Sequence, residues 1–205
     1  MPAVNEPSAD DNGVGEPSVP SLSAKHIRLR SHRQSDFPLL YDIATSPSVF
    51  WRWRFRGTIP TFEGFCQAFN QSVQCQFVVT GYDAECPLGL VVCYNADMKN
   101  RTAYLASMMA PEQFRAGTGA ESMLIFLDFL FATWDFHKLY FELPSFNIEH
   151  IESAIGTLLI EEGRLREHIY YAGKRWDMMT YAIYRTSMSH DRLRRITSGL
   201  DRTRS

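Results

Sequence analysis

The fold is decided by one stretch of sequence, Met109-Ala110-Pro111-Glu112-Gln113-Phe114-Arg115-Ala116-Gly117-Thr118-Gly119-Ala120-Glu121. The residues before it, Ala103 to Met109, are predicted to form a strand. The apolar run after it, from Glu121 to about Phe136, predicts a long buried helix. A strand, a glycine-bearing loop and a helix in this order can hold a phosphate. The reason is that backbone N–H groups at a helix N-terminus lack intrahelical partners and the helix dipole favours negative charge there.

The composition of the loop strengthens the prediction of a phosphorylated ligand. Gly117 and Gly119 remove side chains that would keep an anion away from the backbone, and Arg115 adds a positive charge. A Walker loop is excluded because no Gly-Lys-Ser/Thr follows the second glycine. A Rossmann fingerprint fails because its acidic residue should end a second strand, whereas Asp135 lies inside the predicted helix. The alternative is a plain strand-to-helix turn with two glycines.

Composition places the chain among soluble globular proteins. Its 205 residues suffice for one domain with a sizeable core, and the net charge of -2 gives no general case for nucleic acid or a membrane surface. The apolar run from Met123 to Phe136 contains Asp128 and is too short to cross a bilayer. We therefore expect a cytoplasmic protein with no membrane association.

The four cysteines show no C-x-x-C pair and no His-rich companion, so no metal site is predicted. We interpret them as reduced thiols of an intracellular protein. The alternative is two disulfides in a secreted protein, which the lack of a signal peptide disfavours.

The chain divides into one domain and two tails. Residues 1–23 hold four acids and no Lys or Arg, and are predicted to be a disordered acidic tail. Residues 24–188 form the predicted domain. Residues 189–205 form a basic tail with five arginines, which is either solvated or contacts RNA or an acidic carrier protein.

Periodicity and turn residues predict the remaining elements. In chain order they are a strand His26–Arg30, a helix capped by Ser35-Asp36 and running to about Thr45, a helix from Thr61 to about Gln71, strands Gln74–Thr80, Leu88–Tyr94, Arg101–Met109 and Lys138–Leu143, and a final hairpin of Glu162–Tyr171 and Gly173–Tyr184.

The central stretch resembles a family pattern. From Pro111 to Ser122 the chain reads P-E-Q-F-R-A-G-T-G-A-E-S, against P-x-x-W-G-K-G-x-A-T-E-A in the RimJ/RimL-like branch of the GNAT superfamily of N-acyltransferases. Pro111, Gly117 and Glu121 match, while Phe114 stands where Trp, Gln or Arg is usual. The L-R-x-x-x-x-x-D opening at Leu29–Asp36, Gly89 and Asn147 extend the resemblance over about His26 to Arg185.

The resemblance implies a GNAT fold of the α/β (α+β) class. Its central mixed, mostly antiparallel, twisted sheet has six to seven strands and is flanked by about four helices. It also implies an acyl-CoA-dependent N-acyltransferase, most simply one that moves an acetyl group from acetyl-CoA, or an acyl group from another acyl-CoA, to a primary amine of a small molecule or of a peptide or protein N-terminus.

The resemblance also implies which residues hold the coenzyme. The strand before the loop splays from its neighbour, and its end, Ser107 to Met109, binds the pantetheine arm through the main chain. Asn147 opens a helix whose family pattern is N-x-x-S and whose end is Gly-Phe, replaced here by His150 and Leu158-Leu159. The coenzyme-binding candidates are Met108, Met109, Phe114, Arg115, Ala116, Gly117, Thr118, Gly119, Ala120 and Asn147.

The usual catalytic groups of the family are missing from their positions. The glutamate that serves as base in this branch is replaced by Tyr104, and the tyrosine that serves as acid in many GNAT enzymes is replaced by Ala154. His150 is the substitute base, because an unperturbed pKa near 6.5 suits proton transfer through water. Its alternative role is to cap or pack. Tyr104 and Ser107 are further catalytic candidates.

The segment Phe50-Trp51-Arg52-Trp53-Arg54-Phe55-Arg56 interleaves aromatic and basic residues. In an extended conformation Trp51, Trp53 and Phe55 would share one face. They are predicted to bind substrate as a cover of the acyl-acceptor cleft. The alternatives are plain core packing and, third, stacking with nucleic-acid bases.

Two other functions remain as alternatives. One is a catalytically degenerate module that binds acyl-CoA or an acyl carrier protein. The other is an RNA-associated protein that uses the aromatic-arginine segment and the basic tail. Edge strands of GNAT sheets often pair, so a homodimer is a further expectation.

Overall fold

A computed structural model describes residues 21–114 and 117–188. Most of the predicted acidic tail, all of the basic tail, and the loop residues Arg115 and Ala116 lie outside these described residues. The strands are β1 (Ile27–Arg30), β2 (Val73–Gly81), β3 (Pro87–Asp97), β4 (Thr102–Met109), β5 (Lys138–Pro144), β6 (Ile160–Tyr171) and β7 (Lys174–Tyr184). The α-helices are α1 (Phe37–Thr45), α2 (Phe62–Ala68) and α3 (Thr118–Thr133).

The seven strands form one sheet in the order β1-β2-β3-β4-β5-β7-β6. Every neighbouring pair is antiparallel except β4 and β5, which run parallel. The predicted mixed, mostly antiparallel sheet is therefore confirmed. Gly89 of β3 pairs with Met109 of β4, and a Cβ at Gly89 would collide with the carbonyl oxygen of Met108. Only glycine fits this close approach of the two strands.

Each face of the sheet carries its own hydrophobic core. One core packs α3 against a sheet face that includes Ala103, Leu105 and Met109 of β4. The other core packs α1 and α2 against the opposite face, to which Met108 contributes. Successive side chains of a strand point to opposite faces, which explains this division. We call the two sides the α3 face and the α1–α2 face.

The helix after the loop is displaced from its predicted position. It begins at Thr118, because Gly117 adopts a left-handed conformation with φ of 70° that ends the loop. It ends at Thr133, because Trp134 is extended. The carboxylate of Glu121 accepts a hydrogen bond from the backbone N–H of His26 at 3.4 Å. That bond braces the loop against β1.

The helix that the resemblance places after Asn147 is not an α-helix. Two 3-10 turns, Ser145–His150 and Glu152–Ala154, stand in its place. Ile151 between them has φ of -125° and ψ of 1°, which interrupts helical hydrogen bonding. The described residues thus contain three α-helices, against the expected number of about four.

Asp36 precedes α1 as predicted but does not cap it with its side chain. Its carboxylate instead accepts two hydrogen bonds from the guanidinium of Arg30, at 2.8 and 2.9 Å, and one from the backbone N–H of Arg33 at 2.7 Å. Both partners of this ion pair are nearly buried. The pair fixes α1 to the end of β1.

The cysteines and the helices bear on two sequence predictions. All four cysteines are free, which excludes the two-disulfide alternative. Across the described part of the chain, no helix combines the length and apolar content needed to cross a membrane.

Candidate active site

The strands β4 and β5 separate at their carboxyl ends. Their parallel pairing covers only four residues of each strand and ends where Leu105 meets Phe141. Beyond that point Ala106–Met109 pairs only with β3, and Glu142–Pro144 pairs only with β7. The structure therefore contains the splayed gap that the resemblance predicts at this end of β4.

Backbone groups of β4 face this gap. The N–H of Ala110 donates to the carbonyl of Leu88 at 2.8 Å, on the side of β3. Since backbone groups alternate along a strand, those of Ser107 and Met109 point the opposite way, into the gap. Such groups can bind an extended amide chain in the manner of an added strand.

The N-terminus of α3 lies at the end of the loop that follows β4. The first intrahelical bond runs from the N–H of Glu121 to the carbonyl of Gly117 at 3.0 Å. The earlier N–H groups, those of Thr118, Gly119 and Ala120, therefore have no partner within the helix. A Cβ added at Gly119 would make only an ordinary contact with Met109, at 3.5 Å. Among the described residues, no other atom outside this turn of α3 lies within 4 Å of that Cβ position.

The Oδ1 atom of Asn147 adds a polar group in the turn that follows β5. Asn147 is only 9% exposed, and its buried Oδ1 has no hydrogen-bond partner among the residues described. An orphaned buried acceptor costs about 1–3 kcal/mol unless a donor reaches it. The amide N–H groups of a pantetheine arm would be donors of the required kind, so the residue fits its predicted role.

The structure places two of the predicted catalytic residues, Tyr104 and Ser107, on opposite faces of β4. Tyr104 points to the α1–α2 face, as does the neighbouring ring of Tyr94. Ser107 is three positions further along β4, so its side chain points to the α3 face, with Leu105 and Met109. The side chains of Tyr104 and Ser107 therefore lie on different sides of β4. His150 ends a 3-10 turn, and its side chain lies outside what the structure describes.

Tyr104 is the middle member of a row of three tyrosines, which we call the tyrosine row. Its ring centroid lies 5.8 Å from that of Tyr94 and 5.2 Å from that of Tyr140. Burial, followed by the neighbouring Glu142 and Tyr140, raises the pKa of Tyr104 above its ordinary value. A hydroxyl that keeps its proton at neutral pH donates a hydrogen bond and does not serve as a base.

Glu142 is a residue that the sequence reasoning missed. It follows Tyr140 by two positions on β5 and so shares the face of the tyrosine row. It pairs with Thr180 of β7 just beyond the last parallel pair. The alternation of Tyr140 and Glu142 was visible in the sequence, but the register that sets them beside Tyr104 was not.

The aromatic-arginine segment forms turns instead of an extended strand. Trp51 nevertheless reaches the candidate site. Its ring centroid lies 4.9 Å from that of Tyr171, at the end of the β6–β7 hairpin. Tyr171 in turn lies 4.7 Å from Phe146, which lies 5.4 Å from Trp176. These four residues, which we call the aromatic bridge, join the segment to the hairpin beside the gap.

The other two aromatic residues of the segment pack inward. Trp53 is 5% exposed and belongs to the core under α1 and α2. Phe55 packs on Phe65, with centroids 6.2 Å apart. The contacts of Trp53 and Phe55 are those of the core-packing alternative. Trp51 contacts the hairpin instead, and its role in the acceptor cleft stays a prediction. The arginines of the segment are exposed, and Arg52 lies over the ring of Phe114 at 6.0 Å.

In the described ranges, no group of three or more His, Cys, Asp or Glu is placed to hold an ion. The described residues instead provide backbone donors, one orphaned acceptor, a carboxylate and aromatic surfaces around one gap in the sheet.

Comparison with known proteins extends this description. A family model of the acetyltransferase (GNAT) domain matches residues 26–152. A search of curated proteins gives no match.

Solved structures give similar folds. The spermidine N-acetyltransferase from Vibrio cholerae, in complex with CoA and spermine, superposes with a TM-score of 0.69 at 21% identity, covering 79% of this chain and 97% of that one. A chimera of the Vibrio cholerae enzyme SpeG and hSSAT gives a TM-score of 0.69 at 19% identity, covering 80% and 98%. At these identities the likeness establishes the fold.

Proposed function

The chain belongs to the GNAT acetyltransferase family, and from that premise we propose that its acceptor is a small aliphatic amine of the spermidine class. The activity itself follows from the family: the chain is an enzyme that transfers an acetyl group from acetyl-CoA to an amine. The observation that carries the assignment of the site is the gap between β4 and β5, which opens beyond Leu105 and Phe141 beside the N-terminus of α3.

The donor side of the site is assigned to backbone groups. The main chain of Ser107 to Met109 would hold the pantetheine arm, with the Oδ1 of Asn147 accepting one of its amide protons. The N–H groups of Thr118, Gly119 and Ala120 would hold the pyrophosphate, beside Gly117 and Phe114, and the predicted contacts of Arg115 and Ala116 belong to the same loop. Acetyl-CoA supplies an activated acetyl carbonyl as its thioester.

The catalytic roles go to two side chains. Tyr104 would donate a hydrogen bond from its neutral hydroxyl, and His150 would take up the proton that the amine must lose. Ser107, on the other face of β4, is a candidate through its main chain and its hydroxyl. Conversion of His150 to Gln should lower kcat and remove a pH limb near 6.5, whereas Tyr104→Phe should lower kcat without moving that limb. An unchanged kcat in either variant would remove that residue's role.

The acceptor assignment favours a polyamine because the structurally similar Vibrio cholerae enzyme is a spermidine N-acetyltransferase and was solved with spermine. A peptide or protein N-terminus is the second candidate acceptor, and it would place the chain in the RimJ/RimL-like branch. An acyl carrier protein is the alternative donor.

A homodimer would form most simply through β6, which is an edge strand and exposes Ile160, Leu165 and Tyr170. Sedimentation at several concentrations tests this expectation, and a monomer at every concentration would contradict it.

The test of the function combines binding and turnover. Calorimetric titration with acetyl-CoA comes first, followed by an acceptor panel of spermidine, spermine, butylamine and a short peptide with a free N-terminus. We expect binding at about micromolar acetyl-CoA and fastest turnover with the polyamines. Turnover of the peptide alone would transfer the assignment to protein N-termini. Lack of acetyl-CoA binding would direct the search to carrier-protein thioesters.

A further inference from the structure

We propose that Glu142 and the tyrosine row bind the protonated amino group of the acceptor. The ligand class is a primary ammonium on an aliphatic chain, with the ammonium at the Glu142 carboxylate and the chain along the rings of Tyr94, Tyr104 and Tyr140. The inference rests on the proposed function and extends it by naming the acceptor site within the sheet.

Position is the first argument. Glu142 is the first residue of β5 beyond the last parallel pair, Leu105 with Phe141, so it stands where the gap opens. It shares the α1–α2 face with Tyr104, which is opposite Tyr140 in the register of β4 and β5. The ring of Tyr94 continues the same row on β3, since Tyr94 pairs with Tyr104. Four side chains from three adjacent strands therefore meet at one side of the gap.

The charge of Glu142 is the second argument. Lys138, the basic residue of β5 on the same face, is already paired with Glu162, at 3.0 and 2.7 Å. Tyr184 also bonds to Glu162, so this cluster is internally satisfied. Among the side chains that the structure describes, which do not include that of His150, no basic group forms an ion pair with Glu142.

Two further basic residues lie near the tyrosine row, at its Tyr94 end and away from Glu142. Arg54 and Arg56 interact with Tyr94, and Arg54 donates to the backbone carbonyl of Gln71 at 3.3 Å. The Glu142 side chain is half-buried on this face. A partly buried carboxylate without an ion-pair partner is favoured only when a cation or other donors reach it.

The tyrosine row is the third argument. Aromatic faces attract ammonium groups and also bury the methylene groups of an alkyl chain. All three rings are partly exposed. Those of Tyr94 and Tyr104 present surface to a ligand, whereas Lys138 places its Nζ 4.9 Å from the centroid of the Tyr140 ring. A carboxylate beside aromatic rings therefore selects an alkylammonium over a neutral or an anionic acceptor. Spermidine and a peptide N-terminus both present this group, and the test separates them.

The experiment compares Glu142→Gln with a matched control, Glu161→Gln. Glu161 is exposed on β6 and pairs with Tyr181, whose ring lies in the core of the α3 face. Equilibrium dialysis of spermidine, and separately of the peptide, measures amine binding without turnover. Acetyl-CoA affinity and the KM and kcat for each amine follow. The amide is isosteric with the carboxylate, so the fold should persist in both variants.

We expect Glu142→Gln to weaken amine binding and raise the amine KM by about tenfold or more, with acetyl-CoA affinity unchanged. Glu161→Gln should match the wild type. Tyr104→Ala should also raise the amine KM. Equal amine binding by Glu142→Gln and the wild type would overturn the inference, and so would a wild type that binds neither amine.

Failure of the proposed function would show differently, as a wild type that does not bind acetyl-CoA. Because dialysis needs no turnover, the Glu142 comparison still decides the inference in that case. A loss of peptide binding alone in Glu142→Gln supports the site and assigns it to protein N-termini.

Discussion

The rings of Trp51 and Tyr171 are in contact, with centroids 4.9 Å apart, and so connect the segment after α1 to the end of the β6–β7 hairpin. Gly57 makes the contact possible, because a Cβ there would collide with the indole of Trp51. Gly57 has φ of 93°, a conformation that glycine adopts readily. The aromatic bridge therefore depends on a glycine that no family motif marks.

Opening the aromatic bridge should weaken acceptor binding more than coenzyme binding. Trp51→Ala removes the ring between the segment and the hairpin, so the KM for the amine should rise about fivefold to tenfold, while the affinity for acetyl-CoA changes less than twofold. Steady-state kinetics and calorimetry measure the two quantities. Trp134→Phe, at the far end of α3, is the control. Equal effects on both ligands would place Trp51 in the framework of the protein instead of the acceptor cleft.

A bulky side chain at Gly119 should abolish coenzyme binding without unfolding the protein. The position is helical and its Cβ would touch only Met109, so Gly119→Leu should leave Tm within a few degrees of the wild type. The side chain would cover the helix N-terminus, and acetyl-CoA affinity should fall more than about tenfold. Ala132→Leu, at an exposed position of the same helix, is the control. Normal affinity in Gly119→Leu would remove α3 from the coenzyme site.

The ion pair between Arg30 and Asp36 should make stability depend on pH. Bonding to Arg30 holds the pKa of Asp36 below its usual range. The contribution of the ion pair to the free energy of unfolding is therefore complete above the unfolded pKa of Asp36, about 3.9. It is lost as the pH falls through the lower pKa of the native state. Asp36→Asn leaves the nearly buried Arg30 with only its longer contact to Glu85, at 3.4 Å, and should cost about 2 kcal/mol of unfolding free energy at pH 7.

Urea unfolding at pH 7 and at pH 3 measures this effect, and the difference between wild type and variant should shrink at the lower pH. The control is Asp135→Asn, whose bond to Arg101 lies on the surface and should contribute less than about 1 kcal/mol. If Asp36→Asn and Asp135→Asn lost similar amounts of unfolding free energy, the nearly buried ion pair would not be the stronger one, and the prediction would be wrong.

Thiol reactivity should separate the cysteines. Burial raises the pKa of Cys75 and of Cys93 to about 12, so both stay protonated at pH 8 and react slowly. Cys86 is exposed and should be the first to react with iodoacetamide. Mass mapping of the labelled peptides over time gives the order. Fast labelling of Cys93 in the native protein would show that the β2–β3 region opens readily.

Much of the fold was predictable from sequence because its signals are local. Alternating strands, the Thr61 cap of α2 and Gly117 before α3 all act within a few residues, and the structure contains each of them. The predictions that were wrong also concern local features. Asp36 had the right position for a cap but found a stronger partner in Arg30, and Ile151 broke a helix that the family resemblance implied.

The candidate site was less predictable because it depends on register. Tyr104, Tyr140 and Glu142 lie on two strands whose connection is a helix, and only the parallel pairing brings them together. Trp51 and Tyr171 meet across an even longer separation in the chain. Such contacts follow from the arrangement of the whole sheet, so the motifs indicated a candidate coenzyme loop but gave no sign of the carboxylate beside the tyrosine row.

The gap between β4 and β5 borders two different layers of the molecule, the α3 face and the α1–α2 face. The backbone donors of the loop and α3 lie on the α3 face, while the tyrosine row lies on the opposite face. Acetyl-CoA and the amine can then bind the protein together, and the two products can leave by separate routes. We therefore expect sequential kinetics, with a ternary complex and no acetylated enzyme. CoA should compete most strongly with acetyl-CoA, and the acetylated amine with the amine.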